Sequence, residues 1–223
     1  MLAKDVMSGG VISIAADATV LDAATLLVNT HVSAMPVLDK DGVMVGIVTE
    51  ADLIPYAGLD SASGKAAPDT MRNRRVAEIM TKNVITVDEN APLKDVVVLM
   101  AGKRIKRVPV RSGRSIVGII SRVDLLRVIA SRATSTEAAA ATFDSNDEKL
   151  RRNLLDAIKG QSWSVAQHLD VVVVGGTIHL WGVVPTEQVL TAYRKAAQGL
   201  PNVKSVVSHM QVMRPGIHPV GAN

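Results

Sequence analysis

The chain has 223 residues, no cysteine, 48% hydrophobic but only 2% aromatic residues, and 25 basic against 21 acidic side chains. That size and balance suit one large or two compact globular domains with an aliphatic core, and they exclude disulfides, thiolate nucleophiles and Cys-based zinc sites. The first residues carry no apolar h-region and no apolar run approaches a membrane span, so a cytoplasmic protein is expected.

In chain order, Val11–Ile14 reads as a short β-branched strand. Thr19-x-x-Asp22 then offers a capping box to a helix in which Val20, Ala23, Ala24, Leu27 and Val28 recur at helical spacing. Pro36 opens a strand that turns at Asp39-Lys40-Asp41-Gly42, Met44–Val48 returns as its hairpin partner, and Thr49 begins a second helix. Residues 57–73 are rich in Gly, Ser, Ala and Pro and read as a linker. The pattern then repeats. Val6–Ile14 returns as Ile79–Val87 and Val32–Val37 as Ile105–Val110. After a one-residue deletion, Val45–Leu53 returns as Val117–Leu125. Each unit reads strand, helix, strand, strand, helix, and two such units bury their apolar sheet faces by packing together.

Residues 101–132 hold Lys103, Arg104, Lys106, Arg107, Arg111, Arg114, Arg122, Arg127 and Arg132 against Asp124, a field that attracts phosphate or serves as a solvated basic face. A Ser/Thr/Ala-rich stretch follows. Leu150, Leu154, Leu155 and Ile158 then mark one face of a helix starting at Ser145-Asn146-Asp147-Glu148, read as a capping box. Val171–Val174, Gly175-Gly176 and Thr177–Trp181 form a hairpin pattern, Pro185-Thr186-Glu187 opens another helix, and Val203–Met213 returns as a strand, giving αββαβ.

The repeated blocks resemble the CBS domain family, whose tandem pair is called a Bateman module. The resemblance covers residues 1–132, as repeat one (1–57), linker (58–72) and repeat two (73–132). It implies a mixed α/β (α+β) fold with pseudo-twofold symmetry, dimerisation, and clefts that take AMP, ADP, ATP, NAD-type or S-adenosyl ligands. Val171–Gly182 and Leu200-Pro201-Asn202-Val203 resemble a BON domain over residues 145–214, joined by a linker (133–144) and followed by a tail (215–223). The resemblance implies a partner that is a protein or phospholipid.

Thr49-Glu50-Ala51-Asp52 and Ser121-Arg122-Val123-Asp124 fall at equivalent strand-to-helix junctions. Ser/Thr-x-x-Asp is also an ordinary helix cap. The CBS resemblance instead implies that Asp52 and Asp124 take ribose hydroxyls while Thr49, Ser121 and the exposed helix amides approach phosphate; Arg122 adds positive charge beside Asp124. A carboxylate can accept from both hydroxyls, and a helix start favours an anion. The adenine would lie on Val84-Ile85-Thr86 for the Asp52 cleft and on Val11-Ile12-Ser13 for the Asp124 cleft. Lys106 and Arg107 would meet the phosphates. Because Glu50 stands beside Asp52, the Asp124 cleft is expected to bind more strongly.

No pair among His31, His168, His179, His209 and His218 has metal-ligand spacing, and His179 is expected on the solvent face of its strand. No nucleophile elbow, Walker loop or dinucleotide fingerprint occurs. The reading is a non-catalytic regulator with no required cofactor, an adenine nucleotide as ligand, a homodimer through the CBS pair, and a relay to the BON unit. The alternative is a constitutive scaffold with empty clefts that meets phospholipid or, more weakly, nucleic acid through the BON unit and the basic stretch.

Overall fold

The computed structural model describes residues 1–56, 71–134, 145–165 and 167–213. Most of both expected linkers and the C-terminal tail therefore lie outside the described residues. The chain forms two compact units, one of Met7–Ser121 and one of Met1–Val6 with Arg122 onward.

In the first unit, β1 (Ile14–Ala15), α1 (Val20–Thr30), β2 (Ala34–Leu38), β3 (Met44–Thr49) and the one-turn α2 (Glu50–Leu53) build repeat one. Thr19 caps α1 as its sequence pattern requires: the Asp22 amide donates to Thr19 Oγ1 at 3.1 Å, and the Thr19 amide donates to the Asp22 carboxylate at 2.9 Å. The Thr19 hydroxyl and amide hold Asp22 below the usual carboxylate range. Repeat two supplies α3 (Val76–Ile79), β4 (Val87–Asp88), α4 (Leu93–Gly102), β5 (Arg107–Ser112) and β6 (Ser115–Ser121). The sheets, β1-β2-β3 and β4-β5-β6, share one plan of a parallel first pair and an antiparallel second pair.

The repeat holds at the level of single residues. Register breaks fall at Val37/Leu38 and at Val110/Arg111. His31 and Arg104, the equivalent residues after α1 and α4, both take left-handed backbone, with φ of 53° and 55°. That position ends a helix by turning its N–H back onto the last carbonyls, which gives His31 a structural duty. The repeats also exchange their lead segments. Ser8 bridges to Ile119 of β6, and Thr81 bridges to Ile47 of β3. Gly46 and Gly118 permit this exchange, since a Cβ on either would overlap Met80 or Met7 respectively. Val76 of α3 packs into the repeat-one core with Val20, Leu27, Met35, Val37 and Val48.

The second unit contains α5 (Arg122–Thr134), α6 (Ser145–Ile158), β7 (Gln167–Val174), β8 (Thr177–Val184), α7 (Glu187–Gln198), β9 (Ser205–Ser208) and β10 (Gln211–Val212). Leu150, Leu154, Ile158, Val171, Val173, Ile178, Leu180, Tyr193 and Ala197 form its core, as their periodicity predicts. The strand expected over Val203–Met213 is split into β9 and β10, both parallel to β8. Asp147 lies in the first turn of α6. Its two oxygens accept from the Gly175 and Gly176 amides at 2.8 and 2.7 Å, pinning a turn whose glycines have φ of 58° and 82°. The expectation for His179 is corrected. Its side chain is fully buried, because the face it shares with the buried Val172 and Val174 is covered.

Candidate functional site

Three places bear on function, and the first is the strand-to-helix junction of repeat one. Thr49 precedes α2, and its amide and hydroxyl both donate to Asp52 Oδ2 at 2.8 Å. The helix-cap reading of this motif is thus realised, on one carboxylate oxygen; Oδ1 takes no bond among the described residues. The ladder of repeat two begins at Val87, so Val84, Ile85 and Thr86 precede it as half-buried chain. Val11, Ile12 and Ser13 stand likewise before β1, a shorter strand than the β-branched run suggests.

Arg107 joins this half of the unit. Its guanidinium donates to Ser33 Oγ at 2.7 Å. Burial lowers its pKa and the charge of Glu50 opposes that shift. The negative charge of Glu50, which disfavours phosphate near Asp52, is thereby offset by a cation drawn from the other repeat. Charge alone no longer ranks the two junctions. Lys106, one residue earlier, is exposed.

The second place is an open cleft of about 350 Å³ in the same unit. Val84 and Thr86 line it, together with Val43–Val45 of repeat one and Arg111, Gly113, Arg114 and Ile116 of the β5–β6 hairpin; Lys82 completes it. Thr49 and Asp52 are not among its lining residues.

The third place is the start of α5. Asp124 is only 3% exposed. Arg127, one turn along, donates to Asp124 Oδ1 at 2.7 Å and to Asp170 Oδ2 of β7 at 2.8 Å. Asp170 is equally buried, and its pKa is pushed up to about 6, first by burial and then by Asp124, against the pull of Arg127 and Arg151. Arg151 of α6 donates to the Val171 and Lys4 carbonyls at 2.9 and 3.3 Å, and burial lowers its own pKa. Two carboxylates and two guanidiniums therefore form one buried network. Ser121 and Val11–Ser13 belong to the first unit, Arg122 and Asp124 to the second.

Sequence reasoning singled out Asp124 but missed its partners. Arg127 could have been found, being three residues on along one helix face. Asp170 gave no signal, since a lone acid ahead of a valine run looks like a strand end. Among the described residues, no cluster of three or more His, Asp or Glu is poised for a metal ion, and no helix is long and apolar enough to cross a membrane.

Comparison with known proteins agrees with this architecture. The CBS domain family profile matches residues 3–58 and 76–131, and the BON domain profile matches residues 146–214. An L-aspartate semialdehyde sulfurtransferase of Methanocaldococcus jannaschii is 30% identical over 59% of this chain, which spans only 24% of that protein. Hypoxic response protein 1 of Mycobacterium tuberculosis is 27% identical, over 59% of this chain and 87% of its own length. The crystal structure of the CBS domain pair of protein MJ0100, in complex with 5′-methylthioadenosine and S-adenosyl-L-methionine, superposes with a TM-score of 0.50 at 28% identity. It covers 59% of this chain and 98% of that one.

Proposed function

Because the chain belongs to the CBS domain family and carries a BON domain after the pair, we propose that it is a non-catalytic regulator that binds an adenosine-bearing ligand and relays the binding to its BON unit. Two lines support a ligand of this class: the related pair crystallised with methylthioadenosine and S-adenosylmethionine, and the carboxylates of Asp52 and Asp124 at equivalent helix starts. In this reading Thr49, Asp52 and Val84–Thr86 serve one ligand, while Ser121, Arg122, Asp124 and Val11–Ser13 serve the other, with Lys106 and Arg107 toward the phosphates.

The observation that carries the relay is the hold of Arg127 on both Asp124 and Asp170. A ribose at Asp124 would draw on a carboxylate that already anchors α5 to the BON sheet. Ligand and anchor then compete, and competition is what couples a binding site to a distant surface. The pair is also proposed to self-associate, supported by the aliphatic residues that α1 and α4 leave exposed, Val28 and Val98.

Calorimetry and thermal shift with AMP, ADP, ATP, NAD, NADH and S-adenosylmethionine test the reading. A ligand is expected to raise the melting temperature of the wild type and to lose affinity in Asp124→Ala or Asp52→Ala. The double variant Arg127→Gln/Asp170→Asn, which frees Asp124 without stranding a charge, is expected to bind several-fold more tightly. Failure of all six compounds at millimolar concentration would leave the scaffold reading in its place; unchanged affinity in the double variant would remove the relay alone. Sedimentation velocity is expected to show a dimer that Val28→Glu/Val98→Glu converts to monomer, and a wild-type monomer would refute the self-association.

A further inference from the structure

The joint between α5 and the BON sheet carries more negative charge than its cations balance. α5 packs against β7, and its buried residues Asp124, Val128 and Ser131 recur at helical spacing on one face. On β7, Asp170, Val172 and Val174 alternate onto one side of the strand and are all buried. A single nitrogen of Arg127, Nη1, meets Asp124 Oδ1 at 2.7 Å and Asp170 Oδ2 at 2.8 Å. The two carboxyl groups also lie within hydrogen-bonding reach of each other. Ionised carboxylates only accept, so a hydrogen bond between two of them requires a proton on one.

The charge count points the same way. Arg151 completes the cluster, and the charges of Asp170, Asp5 and Asp124 all act on it. Three carboxylates thus share two guanidiniums, those of Arg127 and Arg151. Lys4 does not supply the missing charge, because it pairs with Glu148, which also holds Arg152. Asp5 Oδ2 accepts from the Leu2 amide at 2.6 Å, while its Oδ1 is buried and takes no bond among the described residues. A buried excess charge is costly, and a carboxyl group sheds it by binding a proton. At Asp170 burial and the charge of Asp124 favour that proton over the pull of Arg127 and Arg151.

We infer that this cluster is a proton-binding site that fastens α5 to the BON sheet. One proton, shared between Asp124 and Asp170, balances the cluster and bridges the two carboxyl groups. When it leaves for solvent, like charges repel across the joint and α5 loosens. The proton belongs to the pair rather than to either residue. The groups that face it are Asp124 and Arg127 from α5, Arg151 from α6 and, through Arg151, Asp5 from the N-terminal segment. The site is complete within the second unit and holds with or without a nucleoside at Asp124. Because the closed joint holds the proton more tightly than a solvated aspartate does, opening grows as pH rises from 3.8 to about 6 and levels off above.

Carbon-13 NMR of the aspartate carboxyl groups, in the full-length protein without ligand, tests the site. A step with a midpoint of about 6 is expected in the signals of Asp124 and Asp170, apart from the ordinary titrations near about 4. Asp170→Asn is expected to abolish it, and Asp5→Asn, which removes the excess charge, to lower its midpoint. Hydrogen exchange reads the joint itself. Protection of the α5 amides, relative to their intrinsic rates, should fall about tenfold from about pH 5 to about pH 7 in the wild type. In Asp170→Asn it should stay level. Circular dichroism confirms that the asparagine variants fold. Ordinary titration of every aspartate overturns the inference, as does a step that survives in Asp170→Asn. An unmoved midpoint in Asp5→Asn overturns the charge balance on which it rests, and level α5 protection in the wild type overturns the fastening. None of these outcomes touches the adenosine panel, since no ligand is present.

Discussion

His179 and Asp170 are buried titratable side chains of the second unit, and their pKa values move in opposite directions. Burial lowers His179 to about 4, with the neighbouring His209 adding to the shift; its Nδ1 lies 3.2 Å from His209 Nε2, and the His209 ring stacks on Trp181. A buried neutral imidazole stabilises the fold above its unfolded pKa near 6.5, and that contribution is lost as pH falls toward 4. Asp170, raised to about 6 amid Asp124, Arg127 and Arg151, behaves in the reverse sense. Its proton stabilises the fold below the ordinary value of 3.8, and this contribution disappears as pH rises through about 6. Over the window from 4 to 6 the two trends offset each other, each worth up to about 1.4 kcal/mol per pH unit. Urea unfolding followed by Trp163 and Trp181 fluorescence should therefore show a weak pH dependence in the wild type. In Asp170→Asn stability should rise with pH across this window, and in His179→Gln it should fall. The same sign of slope in both variants would refute the assignment. Neither burial was legible in the sequence, where a polar residue in an alternating strand looks like the wet face.

At the scale of elements, the periodicities carried most of the fold. The two hairpins, the capping box at Thr19 and the amphipathic helices α6 and α7 all stand where apolar spacing and turn residues place them. What spacing could not convey is which segments reach across. The exchange of Ser8 onto β6 and Thr81 onto β3 leaves no local pattern except two glycines, Gly46 and Gly118, in otherwise β-branched strands. A glycine in a strand interior often marks close backbone approach, and here it does so twice by symmetry. Valine at either position should cost about 1–3 kcal/mol, as overpacking does. Gly102→Ala, at a helical site with open space around it, should be neutral or stabilise by about 0.5 kcal/mol. Chemical denaturation of the three variants checks this, and a benign Gly118→Val would show that Met7 yields freely. The candidate site was legible to a similar degree: Asp52 and Asp124 could be named from the repeat, whereas the reach of Arg107 to Ser33 and of Arg127 to Asp170 depends on contacts between residues distant in sequence.

For the whole molecule, the exchanged segments set how the chain can come together. Ser8 and Ile119 lie near opposite ends of their unit, so joining them closes a loop spanning nearly all of it, a contact that local folding cannot reward early. Neither repeat can complete its own sheet edge, and each half is the template on which the other finishes. A backbone cut between residues 57 and 70 should then be survivable. Fragments 1–63 and 64–223, separately expressed and mixed, are expected to recover the far-ultraviolet circular dichroism and cooperative melting of the intact chain, while 1–63 alone melts without a sharp transition. Halves that fold cooperatively alone and ignore one another would contradict this. The Bateman pair would in that sense be an obligate heterodimer of near-identical subunits that happens to be written as one polypeptide.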